Sequence, residues 1–186
     1  MSVQAPAGPM FERSWRTIIV AVSPEGAIGL AGSIPWKHTG DLRRFKQLTW
    51  GGTVIMGRKT WESLPGRLAG RRNIVVSKSA PFKKTSTSPF EGAEACRSIA
   101  EALSDTTGAV WFIGGAQIYR EAMGYADAID VTYVPDRVTD PAAVLFPEID
   151  EDIWEAGPLL AHELEEGLKR RTYIRWPRSP GARVGG

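Results

Sequence analysis

Thr17-Ile18-Ile19-Val20-Ala21-Val22 is a nearly continuous apolar run near the start of the chain. A strand that alternates apolar and polar residues has one solvated face, whereas a strand that is apolar throughout is buried on both faces. Strands of the second kind belong to parallel sheets that carry helices on both sides. The run at 17–22 therefore predicts an α/β fold, and the sequence that follows it extends this prediction.

Downstream of this run, short apolar strands alternate with segments of helical character. Thr39 is a plausible N-cap for the first helix, and the second helix stops before Pro65-Gly66 because proline cannot continue a helix. Strands are expected over 53–56, 73–77, 109–113 and 128–134, and helices over 39–48, 58–64, 98–103 and 117–123. An alternation of β and α units is typical of a mostly parallel sheet.

The last third of the chain changes character. Segments 159–163 and 168–176 flank Glu165-Glu166-Gly167, which predicts a closing antiparallel hairpin. The expected fold is therefore α/β in three layers: a mixed, mostly parallel β-sheet with helices on both faces and a C-terminal antiparallel hairpin. We expect one domain over 15–176, a polar surface loop over 78–89, and flexible extensions at 1–14 and 177–186.

The composition of the chain argues against several classes of protein. Its 186 residues fit one domain, and 23 basic against 21 acidic residues give a net charge of +2, which is too even to indicate nucleic-acid binding. No apolar run approaches the ~20 residues that cross a bilayer, and no secretory signal is expected. Cys96 is the single cysteine, which suits a reducing cytoplasm. His38 and His162 do not have metal-ligand spacing.

Gly57-Arg58-Lys59-Thr60 lies between a predicted strand and a predicted helix. Free backbone N–H groups and the positive end of the helix favour an anion there, and Arg58 can hold a phosphate through two hydrogen bonds. Ser77-Lys78 ends the following strand. If the two strands are neighbours, these groups form a basic cluster that favours a 2′-phosphorylated ribose, hence NADP over NAD. Alternatively, Arg58 and Lys59 are only the solvated start of a helix.

Gly114-Gly115-Ala116-Gln117 also lies between a buried strand and a helix. Two glycines allow the backbone to approach a pyrophosphate closely, since no Cβ stands in the way. The complete dinucleotide fingerprint G-x-G-x-x-G is absent. The pair alone is therefore weak support for a cofactor, and it could be only a tight connection.

One acidic residue stands among large apolar groups. Ile34-Pro35-Trp36 precedes Gly40-Asp41-Leu42-Arg43-Arg44-Phe45, and a carboxylate in such a setting is costly to ionise. The aromatic rings could wall a flat heterocycle, with Asp41 accepting from a ring N–H and an amino group and Thr132 supporting the carboxylate. Alternatively, Asp41 only favours the helix dipole. No nucleophile with an adjacent base is apparent, so chemistry by a bound cofactor is the better hypothesis.

In their order and spacing, these residues resemble the dihydrofolate reductase family, and the bacterial chromosomal enzymes in particular. The resemblance covers nearly everything from Thr17 to Trp176. It rests on 27–29 (AIG), 34–36 (IPW), 41–45 (DLRRF), 54–63 (VIMGRKTWES), 70–73 (GRRN) and 113–115 (IGG) through Tyr119. It implies reduction of 7,8-dihydrofolate to tetrahydrofolate by NADPH, which supplies one-carbon metabolism.

The resemblance also implies a set of substrate residues. Asp41 would hold the pterin and favour its protonation at N5, with Trp36 ordering the active-site water; these two are the expected catalytic residues. Arg71 would pair with the carboxylate of the glutamate tail. The expected substrate-binding residues are Ile19, Val20, Ala21, Asp41, Leu42, Phe45, Leu64, Leu68, Arg71, Ile113 and Thr132. Dihydrofolate and antifolate inhibitors are the implied partners of a monomer that binds neither nucleic acid nor membrane.

On the cofactor side, the resemblance implies a cis peptide between Gly114 and Gly115 and a mobile loop over 24–33 that closes the site. The expected NADPH-binding residues are Ala21, Ile28, Gly57, Arg58, Lys59, Thr60, Ser77, Lys78, Ile113, Gly114, Gly115, Ala116, Gln117, Ile118 and Tyr119, and no metal is expected. The family often has a third glycine and a basic residue where this chain has Ala116-Gln117.

Two alternatives to dihydrofolate reduction stay open at this point. One is a related reductase of the same fold that acts on a ribosylated pyrimidine. Arg71 speaks against it, because that substrate has no glutamate tail. The other is a folate- or nucleotide-binding protein without turnover. The presence of Asp41, Trp36 and Thr132 together speaks against it.

Overall fold

The computed structural model describes residues 15–79 and 90–176, so both expected extensions and most of the expected loop at 78–89 lie outside the described residues. Along the chain its elements are β1 (Arg16–Val22), β2 (Ala27–Gly29), α1 (Thr39–Thr49), β3 (Thr53–Gly57), α2 (Arg58–Ser63), β4 (Arg72–Val76), β5 (Glu94–Cys96), α3 (Ile99–Leu103), β6 (Val110–Phe112), α4 (Ala116–Ala122), β7 (Ala128–Tyr133), β8 (Val144–Leu145), β9 (Trp154–Ala156), β10 (Leu160–Ala161) and β11 (Lys169–Arg175).

The main sheet has the order β10-β11-β7-β1-β6-β3-β4-β5, with β9 paired to β11. All pairings from β7 through β1 to β5 are parallel, and every antiparallel pairing of this sheet involves β11. The apolar run at 17–22 forms most of β1, which lies between β6 and β7 near the middle of the sheet. The predicted hairpin is confirmed, with Leu160 opposite Arg170.

The sheet is covered on both faces. Ile18, Val20 and Val22 of β1 pack in a core cluster that also holds residues of α3 and α4. Val54, Met56 and Val75 point the other way, into a second cluster that includes partly buried Trp61 of α2. Successive side chains of a strand point to opposite faces, which produces two cores from one sheet.

Helix α1 lies on the same side as α2. Ile129 and Val131 of β7 belong to the first cluster. Side chains alternate along a strand, so Asp130 and Thr132 point to the opposite face of the sheet. Both polar side chains are bonded there by residues of α1. The three-layer arrangement predicted from the sequence is therefore confirmed.

Several details differ from the sequence-based expectation. The N-cap of α1 is His38, not Thr39, and it makes no side-chain capping bond. Strands β2 and β8 form a separate two-stranded sheet within segments read as loop, and β5 and β9 were also missed. Strands of two or three residues are too short to show a period of two, which explains the omission. No described helix is long and apolar enough to cross a bilayer.

Candidate active site

Asp41 is the third residue of α1, and its side chain is 21% exposed. The buried hydroxyl of Thr132 donates to Asp41 Oδ1 at 2.7 Å. Thr132 belongs to β7 and pairs with Ala21 of β1. The carboxylate therefore lies over the junction of these two parallel strands, with one oxygen fixed by a hydroxyl, as the sequence predicted.

A buried ion pair joins α1 to the sheet next to this carboxylate. Arg44 lies one helical turn after Asp41, on the same helix face. It donates through both terminal nitrogens to the two carboxylate oxygens of Asp130, at 2.7 and 2.8 Å. Burial works against the charge of Arg44, but the bonds to Asp130 outweigh it and raise the pKa of Arg44. This two-pronged contact fixes the rotation of α1 over β7.

The start of α1 is held by two further carboxylates. His38 Nδ1 lies 2.7 Å from Glu165 Oε1, and His38 Nε2 lies 2.6 Å from Asp136 Oδ2. Burial alone would lower the pKa of His38, but the two carboxylates raise it overall. Gly40 N–H donates to Glu165 Oε2 at 2.6 Å, and a Cβ at Gly40 would lie 2.5 Å from Glu165 Cβ. The hairpin turn can approach α1 this closely only because residue 40 is glycine.

The apolar residues predicted to line the site of Asp41 lie on α1, on β1 and in the segment before α1. Phe45 and Trp36 are half-buried, and Leu42 is exposed. Ile19 pairs with Asp130 and Ala21 with Thr132, so both β1 side chains face Asp41's side of the sheet. Val20 packs in the first core cluster on the opposite face. Of the three predicted β1 residues, Val20 can therefore reach a ligand on this face only through its backbone.

Arg71 lies at the far end of α1 from Asp41. Its guanidinium carbon lies 5.9 Å from the centres of both the Phe45 and the Trp50 rings. Arg71 Nε donates to the carbonyl of Ala69 at 3.0 Å, and Nη1 donates to Thr49 Oγ1 at 3.2 Å. Burial lowers the pKa of Arg71. No described carboxylate lies within ion-pair distance of this cation, which leaves its charge available to an anion.

The two glycine motifs lie side by side. Gly57 N–H donates to the carbonyl of Gly114 at 2.7 Å, because the parallel strands β3 and β6 are neighbours. On the other side of β3, Gly57 pairs with Val76 of β4. The segments after β3, β4 and β6 therefore lie together at the carboxyl ends of these parallel strands, as expected from the sequence if the strands were adjacent.

The side chains at this edge are mostly exposed. Arg58 Nη1 donates to Glu62 Oε1 at 2.7 Å, an exposed pair within α2. Lys59 and Lys78 are exposed, Thr60 is half-buried and Ser77 is buried. Gln117 donates to Glu121 at 3.0 Å. Two of the predicted cofactor side chains, Arg58 and Gln117, are thus bonded to neighbouring carboxylates.

Gly114 and Gly115 are joined by a cis peptide, which confirms the expectation from the resemblance. Gly114 has φ 106°, and a Cβ there would lie 3.0 Å from the Tyr119 ring. Tyr119 in turn donates its hydroxyl to the carbonyl of Ile19 at 3.0 Å. Burial raises the pKa of Tyr119, so its hydroxyl stays protonated. The bare backbone and the basic residues beside it fit the phosphates of a dinucleotide.

The remaining predicted site residues surround these groups. Ile28 lies in β2 and packs partly buried on the first cluster, to which buried Ile118 belongs. Leu64, Leu68 and Ile113 are partly buried against the second cluster. Ala116 begins α4. The structure thus distributes the predicted residues along the carboxyl ends of the parallel strands and the adjoining faces of α1 and α2.

A protein-family model described as dihydrofolate reductase matches residues 16–173, nearly the whole described chain. The chain belongs to the dihydrofolate reductase family. It is therefore an oxidoreductase of the dihydrofolate-reducing class. The sequence left open a related reductase that acts on a ribosylated pyrimidine. The family match supports the folate enzyme instead.

Bacterial dihydrofolate reductases are similar to the chain over most of their length. The enzyme of Mycobacterium tuberculosis is 36% identical over 159 residues, which are 84% of this chain and 94% of that one. The enzyme of Mycobacterium leprae is 44% identical over 143 residues, covering 74% and 82%. A solved Enterococcus faecalis dihydrofolate reductase, complexed with NADP(H) and RAB-propyl, superposes with a TM-score of 0.71 at 26% identity, covering 87% and 96%.

In this reductase, the sequence did not predict the side chains that attach α1 to the sheet and to the C-terminal hairpin. Asp130 was read only as the polar face of a strand, and Arg44 only as part of a motif. Their pairing has no local signal, because 86 residues separate the two side chains. The spacing of His38 and His162 argues only against metal binding and predicts no partner for either side chain. The carboxylates beside them are far away in sequence, which no local pattern reveals.

Proposed function

We propose that this chain transfers a hydride from NADPH to 7,8-dihydrofolate, giving 5,6,7,8-tetrahydrofolate, and that Asp41 holds the pterin ring. The observation that carries the proposal is the position of Asp41, which is bonded to Thr132 over the β1–β7 junction and partly open to solvent. An ionised carboxylate offers acceptors for a ring N–H and an amino group together. Thr132 fixes the plane of that carboxylate.

The proton that reaches N5 needs a carrier other than a nearby side chain. The hydroxyl of Tyr119 is bonded to a backbone carbonyl and has a raised pKa, so it is a poor acid. We assign proton delivery to a water molecule ordered by Trp36. The negative charge of Asp41 favours the protonated ring and so assists that delivery. Closure of the 24–33 loop would exclude bulk water and strengthen this interaction.

Arg71 would bind the glutamate tail of the substrate. The Phe45 and Trp50 rings, each 5.9 Å from its guanidinium carbon, and the bond to Ala69 hold Arg71 near the end of α1, with no described carboxylate paired to it. A guanidinium binds a carboxylate through two parallel bonds, which lysine cannot do. The benzoyl group between ring and tail would contact four apolar side chains: Leu42, Leu64, Leu68 and Ile113.

When bound, the reduced nicotinamide supplies the hydride. The residues of this chain that would hold NADPH lie after β3, β4 and β6: Gly57, Arg58, Lys59, Thr60, Ser77, Lys78, Gly114 and Gly115. Arg58 would exchange its bond to Glu62, a surface pair worth about 0–1 kcal/mol, for a phosphate. Ser77 and Lys78 would take the 2′-phosphate. Their charge favours NADPH over NADH.

The expected setting is a cytoplasmic monomer that also binds antifolate inhibitors. A single cysteine supports a reducing compartment. The chain has a mass of 20.3 kDa, so sedimentation in dilute solution should return that value.

The test is the loss of reduced-nicotinamide absorbance with dihydrofolate, comparing NADPH with NADH and the wild type with Lys78→Gln. We expect turnover with a strong preference for NADPH, and a loss of roughly tenfold or more in that preference in the variant, because one charged contact to phosphate is removed. Binding of both ligands without absorbance loss would instead support the alternative of a binding protein. Equal rates with the two cofactors would contradict the roles of Ser77 and Lys78.

A further inference from the structure

His162 is a fully buried histidine beside the candidate catalytic carboxylate. It directly follows β10, and its backbone N–H donates to the carbonyl of Leu168 at 3.1 Å within the hairpin. The side chain has no solvent exposure. Its Nδ1 accepts the backbone N–H of Leu164 at 3.2 Å. A ring nitrogen that accepts a hydrogen bond carries no proton, so the proton of this ring is on Nε2.

The Nε2 atom of His162 lies close to the carboxylate of Asp41. Nε2 lies 3.7 Å from Asp41 Oδ1, and it has no hydrogen-bond partner within the described parts of the chain. Buried donors are nearly always paired, because an unpaired one loses its bonds to water without replacement. Hydrogen bonds at reactive groups are often long in the free enzyme and shorten when substrate binds. A small movement of the Asp41 carboxylate would complete this bond.

The other charged groups around His162 already have partners. On the hairpin and β11, Glu163 bonds Arg170 at 2.5 Å and Arg44 at 3.3 Å. Between α1 and β7, Arg44 bonds Asp130. At the start of α1, Glu165 bonds His38. From α4, the Tyr119 hydroxyl bonds the carbonyl of Ile19. Asp41 is therefore the acceptor for which the Nε2–H is placed.

We propose that His162 is a positioning residue for Asp41, donating from Nε2 to Oδ1 and so fixing the carboxylate that receives the pterin. Thr132 already donates to Oδ1 from the sheet side, and His162 approaches the same oxygen from the hairpin. Two donors on one oxygen fix the plane of the carboxylate and stabilise its ionised form. The inference rests on the proposed role of Asp41 in substrate binding.

The first test needs no turnover. The chain has two histidines, so a nitrogen-15 imidazole spectrum of the His38→Gln variant reports His162 alone. We expect the Nε2–H tautomer at neutral pH, and a change in the Nε2 resonance when Asp41→Asn is added to the same background. A proton on Nδ1, or a Nε2 resonance that Asp41→Asn leaves unchanged, would overturn the proposal. Because free protein is used, the result is independent of whether dihydrofolate is the substrate.

The second test compares two substitutions in the full chain. His162→Gln keeps a side-chain N–H near the position of Nε2, whereas His162→Leu removes it without adding a polar group to the core. The readout is the dissociation constant of dihydrofolate, measured against pH without NADPH so that no reduction takes place. Protonation of the Asp41 carboxylate removes acceptors for the ring, so affinity should decline on the acid side.

We expect His162→Leu to move the acid-side midpoint to higher pH by about one unit, since the ionised carboxylate loses a donor. His162→Gln should keep the wild-type midpoint. Both variants should bind NADPH with wild-type affinity, because the phosphate groups lie at other strands. An unmoved midpoint in His162→Leu, or equal shifts in both variants, would overturn the proposal. If His162→Leu does not fold, the imidazole spectrum of the first test decides.

Discussion

Asp41 lies in the first turn of α1, and Arg71 lies beside the opposite end of this helix. Each side chain is oriented by neighbouring side chains. Thr132 fixes one oxygen of Asp41, and the rings of Phe45 and Trp50 flank the guanidinium of Arg71. The distance between a ring-binding carboxylate and a tail-binding cation is therefore set by one helix. A substrate must match both ends to use both contacts.

Replacement of Arg71 tests the tail contact separately from the chemistry. In Arg71→Leu we expect KM for dihydrofolate to rise roughly 30-fold, because a charge-assisted, two-pronged contact is worth about 2 kcal/mol. Arg71→Lys should recover only part of this loss. The measurement is steady-state kinetics with NADPH in excess.

The matched control for Arg71 is a dihydropterin without a glutamate tail. Its kinetic constants should be the same in the wild type and in both Arg71 variants. An equal loss with the tailless compound would mean that Arg71 acts on the structure of the site and not on the tail.

Among single residues, the sequence predicts Asp41 from its apolar surroundings and Thr132 from its place on a neighbouring strand, whereas the role of Arg71 follows only from the family resemblance. It did not predict the partners of Asp41 on the hairpin. His162 is 121 residues beyond Asp41, and no pattern in either segment sets how the hairpin turns towards α1. The separation of Arg44 and Asp130 hides their ion pair in the same way.

Helix α1 is the element on which the site depends, and its first turn is held unusually by ionic contacts. His38 contacts Asp136 and Glu165 through its two ring nitrogens, while Gly40 bonds the second oxygen of Glu165. Glu165 has a lowered pKa, chiefly through its bond to His38. A histidine that contacts two carboxylates is most stable when both of its nitrogens carry protons.

Stability should depend on pH through His38. Its pKa is raised in the folded state, so its contribution is complete below the unfolded pKa of about 6.5 and is lost as pH rises through the folded value. Compared with His38→Gln, the wild type should unfold about 2–4 °C higher at pH 5.5, equivalent to about 1 kcal/mol, and the difference should disappear once the pH has risen above the folded-state pKa of His38.

The measurement is thermal unfolding across this pH range, with Glu166→Gln as the control. Glu166 is the exposed neighbour of Glu165, and its replacement should leave the pH dependence of the wild type intact. A constant difference between the wild type and His38→Gln at every pH would show that the ring packs without contributing a charge.

The sequence predicted α1 and its extent, but assigned its N-cap one residue late. Thr39 has a suitable side chain, yet the structure replaces side-chain capping with the carboxylate of Glu165 from a distant turn. Strand β2, within the 24–33 loop, could not be predicted from the local sequence either, since it exists only because β8 lies beside it. Contacts between distant segments decide both details.

In the whole molecule, the residues proposed for the pterin ring and the motifs proposed for phosphate lie at different strands. The proposed ring contacts lie at β1, β7 and α1, and the phosphate motifs lie after β3, β4 and β6. The proposed benzoyl and tail contacts lie between α2 and β4 and after β6: Leu64, Leu68, Arg71 and Ile113. Strand β6 lies between β1 and β3 and ends at Phe112, two residues before Gly114, so it lies between the two groups of residues. The alternation of strands and helices predicted a parallel sheet. The order of its strands could not be predicted, because sheet neighbours such as β1 and β6 are distant in sequence.

The predicted domain 15–176 should be sufficient for folding and activity. Trp15 and Trp176 are already joined to the core, the first through Val110 and the second through Ile153. We expect a chain limited to 15–176 to keep the kcat/KM of the full chain and to unfold within about 2 °C of it, because the described residues already contain the whole sheet and both core clusters. A larger loss in either quantity would give the extensions a structural role.

The central claim is that the Asp41 carboxylate holds the pterin during reduction, and Asp41→Asn tests it most directly. We expect the variant to keep the fold and its affinity for NADPH, but to lose at least 100-fold in the single-turnover rate of hydride transfer at neutral pH, in line with the roughly 10²–10⁴-fold contribution of groups that assist proton transfer. A hydride-transfer rate equal to that of the wild type would contradict the account.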